Sequence, residues 1–318
     1  MACWSSSRSP CLPLSGPCSS VSNLLAPDLL AELARMRLRT GQRIEGRYAG
    51  SHTSRRYGSS VDFADHRDYV PGDDPRRIDR PAWLRTRKLL VRLHDAEDEA
   101  TVRIVLDLSA SMGFGTKLDL AQQAAAVFVA LAGGDQDRVR LLLAGPGGRV
   151  NAGPWSRGPG ALAASEALLG AHGTDPIEAD RPADGQPAVA EAVRRAVGEG
   201  GAGPVVVISD LLHDGWEDVL RALGSAGGDR ILVHLVGRSD LQPNLDGDFR
   251  LVDAETGAEV EVGITDRLLD QYAATVARWL AAVDEQAGRQ RAHVVRLVDD
   301  EPVRELSTRL RRLGLVAA

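Results

Sequence analysis

The chain has 318 residues, which is enough for one sizeable α/β domain and a smaller unit. The chain has 38 Lys and Arg residues and 44 Asp and Glu residues. Residues 1–93 contain 16 of the basic and 9 of the acidic residues, so their net charge is +7, whereas the net charge of residues 94–318 is −13. The basic residues are interleaved with acids and lack an aromatic platform, and no run of about 18 apolar residues occurs. Composition therefore argues against a nucleic-acid-binding protein and against a membrane-spanning helix.

The chain begins with a Ser/Pro-rich tract that has too little apolar content to pack, which predicts a disordered tail over 1–26. All three cysteines, Cys3, Cys11 and Cys18, lie in this tract. The rest of the chain has no cysteine, as is common in a reducing compartment, so we expect a cytoplasmic protein.

A charged segment over 27–95 is predicted to follow the tail. It opens with an amphipathic helical pattern over 27–38. Residues 46–92 are then dense in charged and turn-forming residues, and Leu89–Leu93 has the pattern of a strand. The close order of Arg and Asp predicts a partly buried ion-pair lattice, with a solvated surface loop as the alternative. The members of the lattice would be Arg67, Asp68, Asp73, Asp74, Arg76 and Asp79.

In the remaining part, 96–318, apolar runs alternate with helical patterns. Such alternation predicts an α/β domain with a mainly parallel sheet and helices on both faces. The predicted strands are 102–107, 138–144, 205–210, 231–236 and 293–298. The predicted helices are 117–131, 162–169, 187–197, 216–223, 266–285 and 302–313. A hairpin is predicted where two short apolar runs flank Ala254-Glu255-Thr256-Gly257.

Oxygen-bearing side chains follow two of the predicted buried strands. Asp107 ends the first strand, Ser109 and Ser111 follow it at alternate positions, and Asp210 ends the strand 205–210. Because the carboxyl ends of parallel strands meet at one edge of a sheet, we expect these side chains to lie close together. Hard oxygens with little charge suit a Mg²⁺-like ion that keeps some of its waters. A further ligand would be Thr174, with Gln186 as the rival for that place.

The same residues also have a purely structural explanation. Asp and Ser in a loop satisfy local backbone groups and cap the helix that follows. Enzymatic signatures are weaker, because Gly113-Phe114-Gly115-Thr116-Lys117 is not a phosphate-binding loop and Ser109 lacks a G-x-S-x-G elbow. His213 follows Asp210 closely and would serve as the base if the loop belonged to a metal-assisted hydrolase.

Two stretches resemble known families. Asp107-Leu108-Ser109-Ala110-Ser111 resembles the metal-ion-dependent adhesion site motif of von Willebrand factor A-like domains. The stretch upstream is similar to the bacterial "domain of unknown function 58" family, which joins such a segment to a von Willebrand A-like domain. The residues that carry this second resemblance are Ser59-Ser60-Val61-Asp62-Phe63, Asp68-Tyr69, Gly72-Asp73-Asp74, Arg76 and Ile78-Asp79.

The resemblance implies a von Willebrand factor A-like, Rossmann-like fold for 96–318. It also implies that Mg²⁺ is surrounded, directly or through water, by Asp107, Ser109, Ser111, Thr174 and Asp210, with one position open for an acidic residue of a partner. Bacterial members of the family are associated with MoxR-type AAA+ ATPases. The expected function is therefore a non-enzymatic protein-binding module that acts with such an ATPase in chaperone-like complex assembly or remodelling. A metal-assisted hydrolase and a metal-free scaffold are the alternatives.

Overall fold

The structure is a computed structural model that describes residues 2–6, 24–38, 63–70, 78–94, 100–134, 137–172, 188–201, 203–253 and 257–317. Its strands are β1 Ala2–Ser6, β2 Arg37–Leu38, β3 Phe63–Asp68, β4 Leu90–His94, β5 Thr101–Asp107, β6 Arg138–Ala144, β7 Val150–Ala152, β8 Val205–Ser209, β9 Arg230–Val236, β10 Gly247–Asp253, β11 Glu259–Ile264, β12 His293–Val298 and β13 Val316–Ala317. Its helices are α1 Pro27–Leu33, α2 Arg80–Thr86, α3 Lys117–Gly134, α4 Gly160–His172, α5 Val189–Gly198, α6 Trp216–Gly224, α7 Arg238–Leu241, α8 Asp266–Arg289 and α9 Arg304–Arg312.

A six-stranded sheet forms the centre of the larger unit, in the order β12-β9-β8-β5-β6-β7. Every neighbouring pair from β12 to β6 is parallel, and only the edge strand β7 runs antiparallel, against β6. The chain enters the sheet at β5, moves to β6 on one side and then returns to β8 on the other. The point between β5 and β8 is therefore the topological switch point, where open α/β sheets hold their ligands.

Side chains of the central strands alternate between two apolar clusters. Along β5, Ile104 and Leu106 face the cluster that includes α1, α3, α4 and α9, whereas Val105 faces the cluster that includes α5, α6 and α8. The same alternation holds in β8, where Val206 and Val207 face opposite clusters. Helices therefore cover both faces of a mainly parallel sheet, as the alternation of the sequence patterns predicts.

The contacts of the chain group residues 27–42 differently from the predicted segment 27–95. Contacts divide the chain into one unit of residues 1–42 and 100–318 and a second unit of residues 43–99. Helix α1 belongs to the larger unit because Leu29 and Leu33, with 3% and 0% of their surface exposed, lie in the apolar cluster on one face of the sheet. Strand β2 belongs there too, since it pairs with β13 near the end of the chain. A short amphipathic helix has little stability alone, so its apolar stripe packs on the nearest large core.

A second, smaller sheet has three antiparallel strands in the order β1-β10-β11. The β10–β11 pair confirms the predicted hairpin. The prediction of a disordered tail is corrected at Ala2–Ser6, which pairs with β10 as β1. A hairpin edge leaves backbone N–H and C=O groups unpaired, and another strand of the chain satisfies them. Residues 7–23 of the predicted tail lie outside the described residues.

The smaller unit contains the antiparallel pair β3–β4 and helix α2. The strand predicted at Leu89–Leu93 is confirmed as β4, shifted by one residue. Asp79 caps α2, since its buried carboxylate accepts a hydrogen bond from the Ala82 amide at 2.9 Å. Most of the predicted ion-pair lattice, including Asp73, Asp74, Arg76 and the side chain of Arg67, lies outside the described residues.

None of the helices in the described part of the chain combines the length and the apolar character that a bilayer crossing demands.

Candidate functional site

The polar side chains predicted to meet at the sheet edge lie at the switch point between β5 and β8. Asp107 is the last residue of β5, and Asp210 follows the last residue of β8, its parallel neighbour. The Ser109 and Ser111 hydroxyls lie 3.1 Å apart, and the Ser111 hydroxyl donates to Asp210 Oδ1 at 3.1 Å. These four predicted residues therefore form one cluster, whereas Thr174 and its rival Gln186 lie outside the described residues.

The loop after β5 curls because its polar groups bind its own backbone. Asp107 Oδ1 accepts a hydrogen bond from the Ser109 amide at 2.8 Å, which turns the chain immediately after the strand. One turn of 3-10 helix, Ala110–Gly113, follows and brings the Ser111 hydroxyl back toward the sheet. Asp107, Ser109 and Ser111 are at most 1% exposed. Local hydrogen bonds thus aim the two hydroxyls into the protein and not into solvent.

The loop after β8 is shaped in the same manner. The Ser209 hydroxyl donates to Asp107 Oδ2 at 2.6 Å and accepts from the Leu211 amide at 2.9 Å, so it ties the two strand ends together. The Leu212 amide donates to Asp210 Oδ1 at 3.1 Å. Leu211 has a φ of 54°, a left-handed conformation that is uncommon for a bulky residue. A strained residue at this place marks a loop whose shape is set by the site that it builds.

A buried lysine that sequence reasoning missed completes the cluster. Lys117, the first residue of α3, is 0% exposed, and its ammonium lies 2.7 Å from Asp210 Oδ2 and 3.2 Å from Asp240 Oδ2. Burial by itself lowers the pKa of Lys117, but the carboxylates of Asp210 and Asp240 outweigh it, so the pKa is raised. The lysine is therefore charged and serves both acids as a counter-ion.

Behind the site, a neutral histidine holds the backbone of Asp210. His234 in β9 is fully buried; Arg296 Nε donates to its Nδ1 at 3.2 Å, so its Nε2 carries the proton and donates to the Asp210 carbonyl at 3.2 Å. Burial and the nearby Arg296 guanidinium lower the pKa of His234 to about 4. Near neutral pH, this imidazole positions Asp210 without adding charge.

The alternative base, His213, lies near the cluster but is turned toward its own loop. Its Nδ1 lies 2.9 Å from the carbonyl of Asp214, which makes Nδ1 the protonated nitrogen. Its Nε2 is buried and has no hydrogen-bond partner among the described residues. The geometry does not place this imidazole on the hydroxyl of Ser109 or Ser111.

Negative charge exceeds positive charge in the cluster. Asp210 and Asp240 contact one ammonium, that of Lys117, while Asp107 is near Asp210 and has no contact with this ammonium; all four side chains are buried. Burial, together with the neighbouring Asp210 carboxylate, raises the pKa of Asp107 to about 6, although hydrogen bonds from Ser209 and Ser109 oppose the rise. A cation beside Asp107 and Asp210 would relieve this repulsion.

The oxygen atoms fit a small, hard cation. An octahedral Mg²⁺ with bonds of about 2.1 Å places adjacent ligand oxygens about 3 Å apart, and the two separations along Ser109, Ser111 and Asp210 are 3.1 Å each. Within the described ranges, no three His, Cys, Asp or Glu side chains gather as a potential metal site. An ion here would depend on hydroxyls, water and two carboxylates, which is a donor set for Mg²⁺ and not for thiolate-preferring metals.

The raised pKa of Asp107 predicts a pH-dependent stability in the ion-free protein. Because the folded-state pKa of about 6 exceeds the ordinary value of 3.8, the folded state holds a proton that the unfolded state releases. The resulting stabilisation is complete below pH 3.8 and is lost as the pH rises through about 6. We expect Asp107→Asn to gain stability relative to wild type, on the order of 2 kcal/mol, between pH 4 and pH 7 in EDTA.

The measurement is urea unfolding of both proteins across this pH range. The pKa of His234 is lowered to about 4, so this residue reduces stability as the pH falls, which is opposite in sign to the contribution of Asp107. Because both proteins contain His234, its contribution cancels when their stabilities are subtracted. Parallel pH profiles would show that Asp107 is not held protonated.

Comparison with known proteins gives matches over most of the chain. The family model described as "Protein of unknown function DUF58" matches residues 65–281. Uncharacterized proteins of Mycobacterium bovis and Mycobacterium tuberculosis are 33% identical to this chain over 265 residues, which is 81% of this chain and 80% of each relative.

Two solved structures also show similarity. The conserved hypothetical protein BatB from Bacteroides thetaiotaomicron matches with a TM-score of 0.39 and 19% identity, over 68% of this chain and 98% of that chain. The pilus adhesin SpaC from Lactobacillus rhamnosus GG matches with a TM-score of 0.27 and 12% identity, over 36% of this chain and 16% of that chain. The family match and the mycobacterial relatives establish that this chain belongs to the DUF58 family.

Proposed function

We propose that this protein is a non-enzymatic binding module of the von Willebrand factor A-like type, whose switch-point cluster holds Mg²⁺ and captures a protein partner. The observation that carries the proposal is the row of oxygens formed by Ser109, Ser111 and Asp210, with 3.1 Å between neighbours. This row lies at the carboxyl edge of a parallel sheet, where such folds bind ligands. The partner that we propose, from the family resemblance, is a MoxR-type AAA+ ATPase in chaperone-like complex assembly or remodelling.

Each residue of the cluster would have a separate part in holding the ion. The Ser109 and Ser111 hydroxyls and Asp210 Oδ1 are the direct donors in this proposal. Asp107 Oδ1 already accepts a hydrogen bond from the Ser109 amide, and its Oδ2 accepts one from the Ser209 hydroxyl. We therefore propose that Asp107 contacts the ion through a water molecule. When bound, Mg²⁺ would supply a Lewis-acidic coordination position for a carboxylate of the partner.

Burial of the cluster sets a condition on partner capture. The side chains of Ser109 and Ser111 are 1% and 0% exposed, so a partner carboxylate reaches the ion only if neighbouring residues move. Ion-dependent capture should therefore be slow to form compared with a rigid docking of preformed surfaces. Because the site is closed to solvent, the two buried hydroxyls need a partner within the protein, and they lie within hydrogen-bond distance of each other.

The metal-free scaffold remains a second candidate because of one observation. The ammonium of Lys117 lies 2.7 Å from Asp210 Oδ2, so part of the charge that an ion would balance is already balanced. In a scaffold of this kind, the cluster would serve only to join the ends of β5 and β8. Direct binding of Mg²⁺ distinguishes the two candidates.

The test is capture of a purified MoxR-type ATPase from the same source, measured by biolayer interferometry in Mg²⁺ and in EDTA. We expect EDTA and Asp107→Ala each to weaken capture about tenfold or more, since a lost ligand or a lost support of a ligand weakens metal sites to that extent. His213→Ala is the matched control and should capture normally, because imidazole is not a preferred ligand of so hard an ion.

Thermal melts of all three proteins accompany the capture assay, so that loss of fold is separated from loss of binding. Unchanged capture by an intact Asp107→Ala protein would reject the ion-bridged mechanism and leave the scaffold. If capture survives in EDTA while calorimetry shows Mg²⁺ binding, the ion is structural and does not bridge to the partner.

A further inference from the structure

We propose that Lys117 is a positioning residue: a built-in cation that holds Asp210 ready for Mg²⁺, keeps the cluster assembled when the ion is absent, and lowers the affinity for the ion. This inference rests on the proposed function and goes beyond it, because it concerns how tightly and how reversibly the ion is held. Lys117 begins α3, and its side chain is completely buried in the cluster.

The two oxygens of Asp210 have separate tasks. Oδ1 faces the Ser111 hydroxyl at 3.1 Å and the Leu212 amide at 3.1 Å, whereas Oδ2 faces the Lys117 ammonium at 2.7 Å. The ammonium thus occupies the side of the carboxylate away from the hydroxyl row. It fixes the carboxylate plane without taking the oxygen that would face the ion.

The other anchor of the ammonium is held independently of it. Asp240 Oδ2 accepts a hydrogen bond from the Gly237 amide at 3.1 Å, which fixes the carboxylate on the short helix α7. The Tyr272 hydroxyl of α8 donates to the Asp240 carbonyl at 2.8 Å. Asp240 is 6% exposed. Lys117 therefore connects Asp210, which belongs to the candidate ion site, to Asp240, which would not be a ligand of the ion.

Charge gives the direction of the effect. A positive charge on the carboxylate that would hold a cation opposes binding of that cation, even at the high effective dielectric of protein sites. Without an ion, the same charge is what keeps Asp210 and Asp240 from standing unpaired in the interior. A merely structural lysine would stabilise the protein equally with and without Mg²⁺, whereas Lys117 should be needed most when the ion is absent.

The experiment compares wild type with Lys117→Met, which keeps an unbranched side chain one atom shorter than lysine and removes its charge. Binding of Mg²⁺ alone is measured by isothermal titration calorimetry, and thermal melts are recorded in EDTA and in Mg²⁺. We expect Lys117→Met to bind Mg²⁺ about tenfold more tightly than wild type. Its melting temperature should fall well below that of wild type in EDTA and recover most of the difference in Mg²⁺.

Asp240→Asn is the matched variant with the opposite expected sign. This change removes a negative charge that offsets the Lys117 ammonium. The ammonium then repels a cation at Asp210 more strongly, so Mg²⁺ binding should weaken several-fold. The amide oxygen of asparagine can still accept from the Gly237 amide, which preserves the start of α7. If Lys117→Met does not fold even in Mg²⁺, the sign of the Asp240→Asn effect decides the matter.

The outcomes separate this inference from the proposed function. If wild type binds Mg²⁺ and Lys117→Met binds it equally or more weakly, the inference is overturned and the ion site stands. If only Lys117→Met binds Mg²⁺, Lys117 excludes the ion from wild type, and both the positioning role and the ion-dependent function of wild type are overturned. If neither protein binds Mg²⁺, both are overturned.

Discussion

Replacing Arg103 by methionine should lower the free energy of unfolding by about 3 kcal/mol, because it removes a buried charge together with its hydrogen bonds. Arg103 lies in β5 with 1% of its surface exposed. Its guanidinium donates to the carbonyls of Gly200 and Gly203 at 2.7 and 2.6 Å, and to that of Gly201 at 3.4 Å. The side chain thus organises the turn that leads into β8, at the amino end of the strands.

Urea unfolding followed by far-UV circular dichroism is the measurement for this variant. Arg194→Met is the matched control, since Arg194 makes an exposed ion pair with Glu191 within α5 and should change stability by less than about 0.5 kcal/mol. The response to Mg²⁺ should survive in Arg103→Met, because the candidate ion site lies at the opposite edge of the sheet. Equal stabilities of the two arginine variants would show that the turn holds its shape without the guanidinium.

Truncating Leu33 to alanine should cost about 3 kcal/mol of the larger unit's stability. Leu33 is the last residue of α1, is 0% exposed, and packs in the same apolar cluster as Leu106 and Phe128. The loss combines the apolar surface no longer buried with the cavity that remains, as in other large-to-small changes in a packed core. The effect would establish α1 as part of the α/β unit in solution.

Leu313→Ala provides the comparison, because Leu313 lies in the same unit with 43% of its surface exposed. Its truncation should change stability by less than about 1 kcal/mol. Both variants are unfolded in urea under the same conditions. A Leu33→Ala protein as stable as Leu313→Ala would mean that α1 contributes nothing to the core.

Elements with a clear local pattern could be predicted from the sequence. Strands β6 and β12 have the bounds that their apolar runs predict, Arg138–Ala144 and His293–Val298. By contrast, β3 has the sequence Phe-Ala-Asp-His-Arg-Asp, which lacks the alternation of a half-buried strand, and its pairing with β4 decides its conformation. Helix α7 has only four residues, too few for a helical period to be recognised.

In the candidate site, too, some residues can be predicted from local sequence patterns and others cannot. Asp107 and Asp210 are predictable because each lies at the end of a buried apolar run, and the carboxyl ends of parallel strands meet at one edge of the sheet. Lys117 is not predictable as a site residue, because a lysine in the first turn of a helix is ordinarily solvent-exposed. Asp240, which makes the burial of that lysine possible, lies 123 residues further along the chain.

Local sequence patterns are enough to predict the α/β class, the positions of most strands and helices, and the oxygen-bearing side chains at the ends of two strands. These follow from hydrophobic periodicity and turn chemistry, which act over a few residues. Three features depend on long-range packing: β8 lies next to β5, α1 packs with the larger unit, and Lys117 is buried between Asp210 and Asp240. A buried charge is stable only when its partners arrive from distant parts of the chain, and no local pattern encodes that encounter.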